Sequence, residues 1–235
     1  PLDGAGRVLA RLPWGGPENG ASATGHYHVL GYDPLWLETY DKLAHLSDSN
    51  DPNGVANTLM GVRYLMATAS QDDLANFELI GIAYESLYYE RTDPFPRAWI
   101  ATDPRVEPDD DAALAQLSDP GTDLRATVFL DRALNCPSGG GEAEIVSYEA
   151  NEVRIETSGE GGVLVLSDQH YPGWHAEVDG EPAEIVRADV AFRAVCVPAG
   201  EHTVTFTYRP ASFFAGTGIS AVGWAMWAVA SARAW

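Results

Sequence analysis

The chain has 235 residues, 46% of them hydrophobic, and sets 34 acidic side chains against 14 basic ones for a formal charge of −20. That much apolar material can pack a core, which excludes global disorder, and the length suits one large domain or two small ones with an appendage. An acidic field of this strength repels phosphate backbones and anionic lipid headgroups, so nucleic acid is not an expected partner; a solubilising surface explains the acidity better than an acidic binding face.

The chain begins at Pro1, without a methionine or a signal peptide, and is expected to be a fragment. Arg7 to Ala10 is a short strand candidate, followed by a loop rich in Gly, Pro and Asn through Gly25. Asp33 and Pro34 form a helix start, an N-cap oxygen followed by a residue whose missing N–H costs nothing there. Leu35, Leu37, Tyr40, Leu43 and Leu46 continue it as an amphipathic helix. After the polar loop from Asp48 to Gly54, a short helix is expected over 55–59 and a buried strand over 62–66. Strands follow over 77–83, 87–90 and 97–100, with Asp93-Pro94-Phe95-Pro96 as a bend. Residues 103–122 are acidic, contain Pro104, Pro108 and Pro120, and read as a linker holding one helix over 110–117.

The second half is antiparallel β in pattern. Thr127 to Leu130 is a strand, and Ser138-Gly139-Gly140-Gly141 reads as a flexible turn. Val153 and Ile155 share one face of a strand over 152–157, whereas 163–166 is apolar on both faces and is expected at the centre of a sheet. Trp174, Ala176 and Val178 alternate with polar residues, and that shared parity argues for a buried Trp174 over an exposed sugar-binding plane. Asp179-Gly180 is a hairpin turn signal, since both central residues need positive φ. Strands over 191–197 and 203–208 are expected to pair across Pro198 to Glu201. With a return strand over 183–187, the six short strands from 152 to 208, with turns roughly every 8 to 12 residues, make a β-sandwich or half-barrel. The two cysteines, Cys136 in a loop and Cys196 in a strand, could form one bridge; a buried free thiol explains Cys196 as well.

Residues 211–232 carry no charge and are long enough for a spanning helix, flanked by Arg209 and Arg233. Gly216, Gly218, Gly223 and many alanines suit close packing on other helices, as in one member of a bundle. The fold class is therefore α+β: a mixed α/β subdomain over 1–102, the linker over 103–122, an antiparallel β-sandwich-like domain over 123–210 and a transmembrane helix over 211–233.

Motifs for chemistry fail one by one. His26-Tyr27-His28 puts two imidazoles on one face of an extended chain, but no third ligand stands at a recognisable spacing. The loop before Gly54 does not fit a calcium loop, because the positions for its first Asp and last Glu hold Ser49 and Met60. Ser167-Asp168-Gln169-His170 contains the residue types of a catalytic triad, but sequence neighbours do not converge on one substrate atom. Neither a phosphate loop nor a nucleophile elbow is present. No catalytic residue, cofactor or metal site is assigned.

The string from Leu166 to Gly180, LSDQHYPGWHAEVDG, resembles a signature of the YfhO family of bacterial membrane proteins. Phe192 to Val195, Val197 to His202 and Phe206 to Pro210 continue the resemblance. Upstream, Gly31-Tyr32-Asp33-Pro34-Leu35, Met60 to Leu65 and Phe95 to Trp99 look like the family's other blocks, in order. The resemblance implies a polytopic glycosyltransferase of GT-C type that uses a lipid-phosphate-linked sugar. Its catalytic acid would lie in an early loop to which no part of this chain corresponds. This segment is then expected to be a non-catalytic extracytoplasmic domain at the cell membrane, capping the membrane cavity and helping position an envelope-polymer acceptor. Its expected partners are the bilayer through residues 211–233, the transmembrane bundle of the same chain and a glycan. Gly31, Tyr32, Asp33, Pro34, Tyr171, Pro172, Gly173, Trp174, Asp179 and Gly180 are expected as structural corners. The alternative is a membrane-anchored carbohydrate-binding β-sandwich.

Overall fold

Two sheets and two cores organise the chain, and both cores share one strand system. The structure, a computed structural model, describes residues 7–11, 27–28, 37–46, 53–67, 74, 76–83 and 86–233. The expected corner Gly31-Tyr32-Asp33-Pro34 and the side chains of His26 and His28 lie outside what is described.

A five-stranded sheet contains β1 (Arg7–Arg11), β2 (Tyr27–His28), β3 (Val62–Ala67), β4 (Phe77–Ala83) and β5 (Ser86–Arg91), in the order β2-β1-β3-β5-β4. β1 runs parallel to β2 and β3, while β5 is antiparallel to β3 and β4. Helix α1 (Glu38–His45) starts later than the Asp33-Pro34 signal suggests. Leu37 is still extended at ψ 132° as the N-cap, its carbonyl accepting the first helical bond from the Asp41 N–H at 2.9 Å, and Glu38 and Asp41 place negative charge in the first turn. Helix α2 (Val55–Leu59) leads into β3 with Ala56 and Leu59 buried.

The ten-stranded system is antiparallel apart from one parallel pair. It comprises β6 (Ala98–Ala101), β7 (Asp103–Val106), β8 (Thr127–Leu130), β9 (Gly140–Glu149), β10 (Glu152–Gln169), β11 (Trp174–Val178), β12 (Glu181–Ala183), β13 (Val186–Ala188), β14 (Phe192–Val197) and β15 (His202–Tyr208). The order is β12-β11-β15-β10-β14-β13-β8-β7, with β6 and β9 also paired to β10. The two strands read over 152–157 and 163–166 are one continuous strand of 18 residues. Its first half pairs with β9 and β15, its second half with β6 and β14, so β10 passes from one layer of the sandwich to the other. Glycine permits the bend: Gly161 has φ 79°, and a Cβ there would stand 2.7 Å from the Val197 carbonyl oxygen.

Three readings of this half are corrected by the same geometry. Ser138 to Gly141 is no free turn, because β9 begins at Gly140. A Cβ on Gly141 would meet the Ser158 carbonyl at 2.1 Å, so glycine is required by a close crossing of chains rather than by mobility. Second, β14 and β15 do not pair with one another; residues 198–201 arch between layers, with the Gly200 N–H bonded to the Gly159 carbonyl at 2.9 Å. Third, residues 103–122 are built into the fold. They supply β7, parallel to β8, and helix α3 (Asp110–Leu117), whose N-cap Asp109 accepts from the Ala112 N–H at 2.8 Å and whose Ala113 and Leu117 enter the core.

Alternation along β10 and β14 divides the apolar residues between the two cores. Leu164, Leu166, Val195 and Val197 face the sandwich interior with Ile155, Val204 and Phe206. Val163, Val165, Phe192 and Ala194 face the other way, against Leu43, Leu59, Phe129 and Leu117. The expectation that 163–166 is buried on both sides holds. Cys136 and Cys196 are bonded to each other and tie the loop after β8 to β14.

Between β13 and β14 the chain makes a strained turn. Asp189 and Val190 have φ 44° and 69°, and the Ala191 N–H bonds back to the Asp189 carbonyl at 2.8 Å. Positive φ on a β-branched residue in a three-residue turn is rare and costly.

Helix α4 (Ala211–Arg233) follows Pro210. Phe213, Ile219, Val222, Trp224, Met226 and Trp227 stand in the open, with Ile219 75% and Trp224 70% exposed. No helix among the described residues is long and apolar enough to cross a membrane. The transmembrane reading of 211–233 is corrected to that extent: the helix forms, but its glycines, serines, threonine and tryptophans dilute the hydropathy of its isoleucine, valines and phenylalanines.

Candidate functional site

β10 ends and β11 begins around Tyr171-Pro172-Gly173-Trp174, and this corner sits against the junction of β15 with α4. Gly173 adopts φ 106° and its carbonyl accepts from the Arg209 N–H at 2.7 Å. A Cβ there would stand 2.9 Å from the Tyr208 ring and 3.2 Å from Pro210 Cα, so only glycine fits. Tyr171, Trp174 and Tyr208 form an aromatic group, with ring centroids 5.3 Å apart for Trp174–Tyr208 and 6.4 Å for Tyr171–Tyr208. Tyr171 is 44% exposed. Trp174 is half-buried at the edge of the sandwich core, not sealed inside it. Parity correctly points its ring inward, but its position as the first residue of β11 leaves one side open.

Behind these rings lies a buried ionic cluster. Asp168 receives the Arg97 guanidinium on Oδ1 at 2.8 Å, and the Arg193 guanidinium on Oδ2 at 3.0 Å. The Tyr148 hydroxyl donates to Asp168 Oδ2 at 2.8 Å and accepts from Arg97. Arg193 is 2% exposed, and its guanidinium lies 3.8 Å from the Trp174 ring centroid and 5.2 Å from that of Phe206. Burial pulls the Arg193 pKa below its usual range, and the Asp168 charge opposes that shift. Among the described residues, its Nε and Nη1 have no hydrogen-bond partner.

Two clefts open on either side of the corner and share Tyr171 and Trp174. One, of about 540 Å³, is lined by His170, His175, Glu177, Ile185 and Arg209. Burial lowers the His170 pKa, with Asp131 pulling the other way. The other, of about 470 Å³, is lined by Arg97, Tyr148, Asn151, Gln169, Arg193 and Tyr208. Aromatic planes beside amide and guanidinium donors suit a hydroxyl-rich ring better than an apolar ligand.

The remaining candidates are structural. Asp179 and Gly180 have φ 53° and 84° and close the β11–β12 hairpin. Asp179 Oδ2 sits 2.6 Å from His202 Nδ1, and Oδ1 accepts from the Thr203 N–H at 2.8 Å. These contacts, the His202 bond foremost, hold the Asp179 pKa down, while the Asp179 bond raises that of His202. Ser167, Asp168 and His170 do not converge: Asp168 is committed to the arginine cluster, and His170 lines the opposite cleft. Among the described residues no group of three or more His, Cys, Asp or Glu side chains could hold a metal ion.

Sequence reasoning missed Arg97, Tyr148, Asp168 and Arg193. The one available signal was an arginine at a core-facing register inside an apolar strand, in Phe192-Arg193-Ala194-Val195.

Residues 141–220, about a third of the chain, match the model of a family described as bacterial membrane protein YfhO. No curated protein and no solved structure matches the chain. The matched segment runs from β9 through the corner, the clefts and β15 into the first half of α4.

Proposed function

We propose that this YfhO-family protein uses the described domain as the non-catalytic, extracytoplasmic part of a membrane glycosyltransferase, and that the aromatic corner holds the saccharide acceptor beside the membrane portion. The observation that carries this reading is the position of the two clefts. Both are built on Tyr171 and Trp174, and the backbone of their shared corner is bonded to the residue that leads into α4. A glycan lying there is held next to the element that joins the domain to the rest of the protein.

Three features support the reading. The Cys136–Cys196 bridge suits an oxidising compartment outside the cytoplasm. The exposed apolar side chains of α4 need apolar surroundings, and its small residues let neighbouring helices approach closely. In this reading chemistry and donor binding belong to the membrane portion.

The test is sugar incorporation into envelope polymer by membranes containing the whole protein. Tyr171→Ala should raise the acceptor concentration needed for half-maximal transfer at least tenfold while the donor requirement stays unchanged. Equal kinetics for wild type and variant would refute the acceptor role. The exposure of Tyr171 also favours a second reading, a membrane-anchored carbohydrate-binding module. That reading predicts glycan binding with no transfer activity in the same membranes.

A further inference from the structure

The cleft lined by Arg97 and Arg193 differs in charge from the rest of the molecule. The chain has 34 acidic side chains, yet among the groups lining this cleft Asp168 is the single carboxylate beside two guanidiniums. At the opposite end of β11 and β15, a cleft of about 490 Å³ is lined by Glu142, Glu144, Glu156, Asp179 and Glu201. The sandwich is therefore acidic at the hairpin end, whereas guanidiniums outnumber carboxylates in the lining of the cleft nearest α4. An anion approaching the molecule is repelled from one end and admitted at the other.

Arg193 adds a local reason. It lines the cleft and is 2% exposed, and Asp168 occupies only Nη2, leaving Nε and Nη1 as buried donors without acceptors among the described residues. Buried guanidinium donors are normally satisfied, and an unsatisfied pair beside a cleft marks a place where an acceptor-rich ligand gains more than it would on an open surface. In low-dielectric surroundings the guanidinium charge also acts strongly on a neighbouring anion. Tyr171, Trp174 and Tyr208 supply planes for a sugar ring, and Asn151 and Gln169 supply hydrogen-bonding edges.

We infer that this cleft selects an acidic saccharide, with the anionic substituent of the sugar directed toward the Arg97–Arg193 side and its ring against Tyr171 and Trp174. The inference rests on the acceptor-holding reading above and adds a ligand class to it. A carboxylate and a phosphate ester share the required chemistry, and the test separates them.

The full chain, held in neutral detergent, is titrated calorimetrically with glucose, glucuronate, glucose 6-phosphate and inorganic phosphate. Glucuronate or glucose 6-phosphate should bind at least tenfold more tightly than glucose, and the tighter of the two identifies the anionic group. The preference should shrink between 50 and 500 mM salt, as about a threefold change in Debye length requires. Tyr171→Ala should weaken glucose and the acidic sugar by the same factor, leaving their ratio intact. Arg193→Gln should abolish the ratio; if that variant does not fold, the salt dependence of the wild type decides. Equal affinities for glucose and both acidic sugars would overturn the inference while leaving the saccharide site standing. Inorganic phosphate binding as tightly as glucose 6-phosphate would show a bare anion site and overturn it. Binding of none of the sugars would overturn both readings.

Discussion

Asp189 is fully buried at the strained turn before β14, and its replacement by asparagine gives a quantitative test of the packing described above. Its Oδ1 accepts from the Phe129 N–H at 2.9 Å, and Oδ2 has no partner among the described residues. Burial pushes its pKa up from 3.8 to about 7, with the Phe129 bond opposing. The folded protein therefore keeps a proton that the unfolded chain releases, and stability falls as pH rises across that window. The contribution is intact below about pH 4 and lost above about pH 7. A shift of about three units at ~1.36 kcal/mol each gives roughly 4 kcal/mol as the upper figure. Asp189→Asn keeps the acceptor for Phe129 and tolerates the positive φ, but cannot ionise. Its amide introduces donors without partners, at a cost of ~1–3 kcal/mol at every pH. The variant should thus be less stable than wild type at pH 4.5 and more stable at pH 8. The crossing would show as a relative gain on the order of 10 °C in Tm between those limits, since 1 kcal/mol moves a domain of this size by ~2–4 °C. Thermal unfolding of both proteins at half-unit pH steps provides the measurement. Because the other carboxylates cancel in the difference, two curves that stay parallel from pH 4.5 to 8.5 would refute the reasoning.

Three further perturbations probe the corner and its supports. Gly173→Val forces a β-branched residue into φ 106° against Tyr208 and Pro210, and should lower stability by at least ~2 kcal/mol in a urea titration; a well-folded variant with altered acceptor choice would contradict this. Asp168→Ala strips Arg193 of its acceptor and should cost ~3–5 kcal/mol, more than Arg193→Met, which leaves Asp168 bonded to Arg97 and Tyr148. Breaking the Cys136–Cys196 bridge, which spans a sequence separation of 60, should cost up to ~4 kcal/mol, and reductant should lower the wild-type Tm to that of the double serine variant.

Local chemistry made much of the fold legible. Strand β8 and helix α3 fall over the residues expected for them, 127–130 and 110–117, and the Asp179-Gly180 hairpin follows from the backbone needs of its turn. What sequence could not show was which strands pair. Pro198 to Glu201 has hairpin composition, yet it arches between layers because Gly159 to Gly162 lets β10 change sheets earlier in the chain. That is a long-range fact with only a glycine cluster as its local trace. The linker reading of 103–122 failed for a related reason. Prolines and acids dominate its composition, but Ala113 and Leu117 suffice to seat its helix in the core. At the site, the corner residues were visible as a motif, whereas the arginine cluster needed four residues from β9, β10, β14 and the approach to β6 to be brought together. Apart from Arg193, whose charge inside an apolar strand is itself a signal, each of those residues alone reads as an ordinary surface or strand position.

The most direct test of the central claim is to locate a bound glycan. Full chain in detergent micelles, labelled at tyrosine and tryptophan, would be titrated with chitotetraose and maltotetraose while amide and ring resonances are followed by NMR. The account predicts saturable shifts confined to Tyr171, Trp174, Tyr208 and their strand neighbours. Shifts absent at every concentration, or centred on the acidic hairpin end around Asp179 and His202, would contradict it.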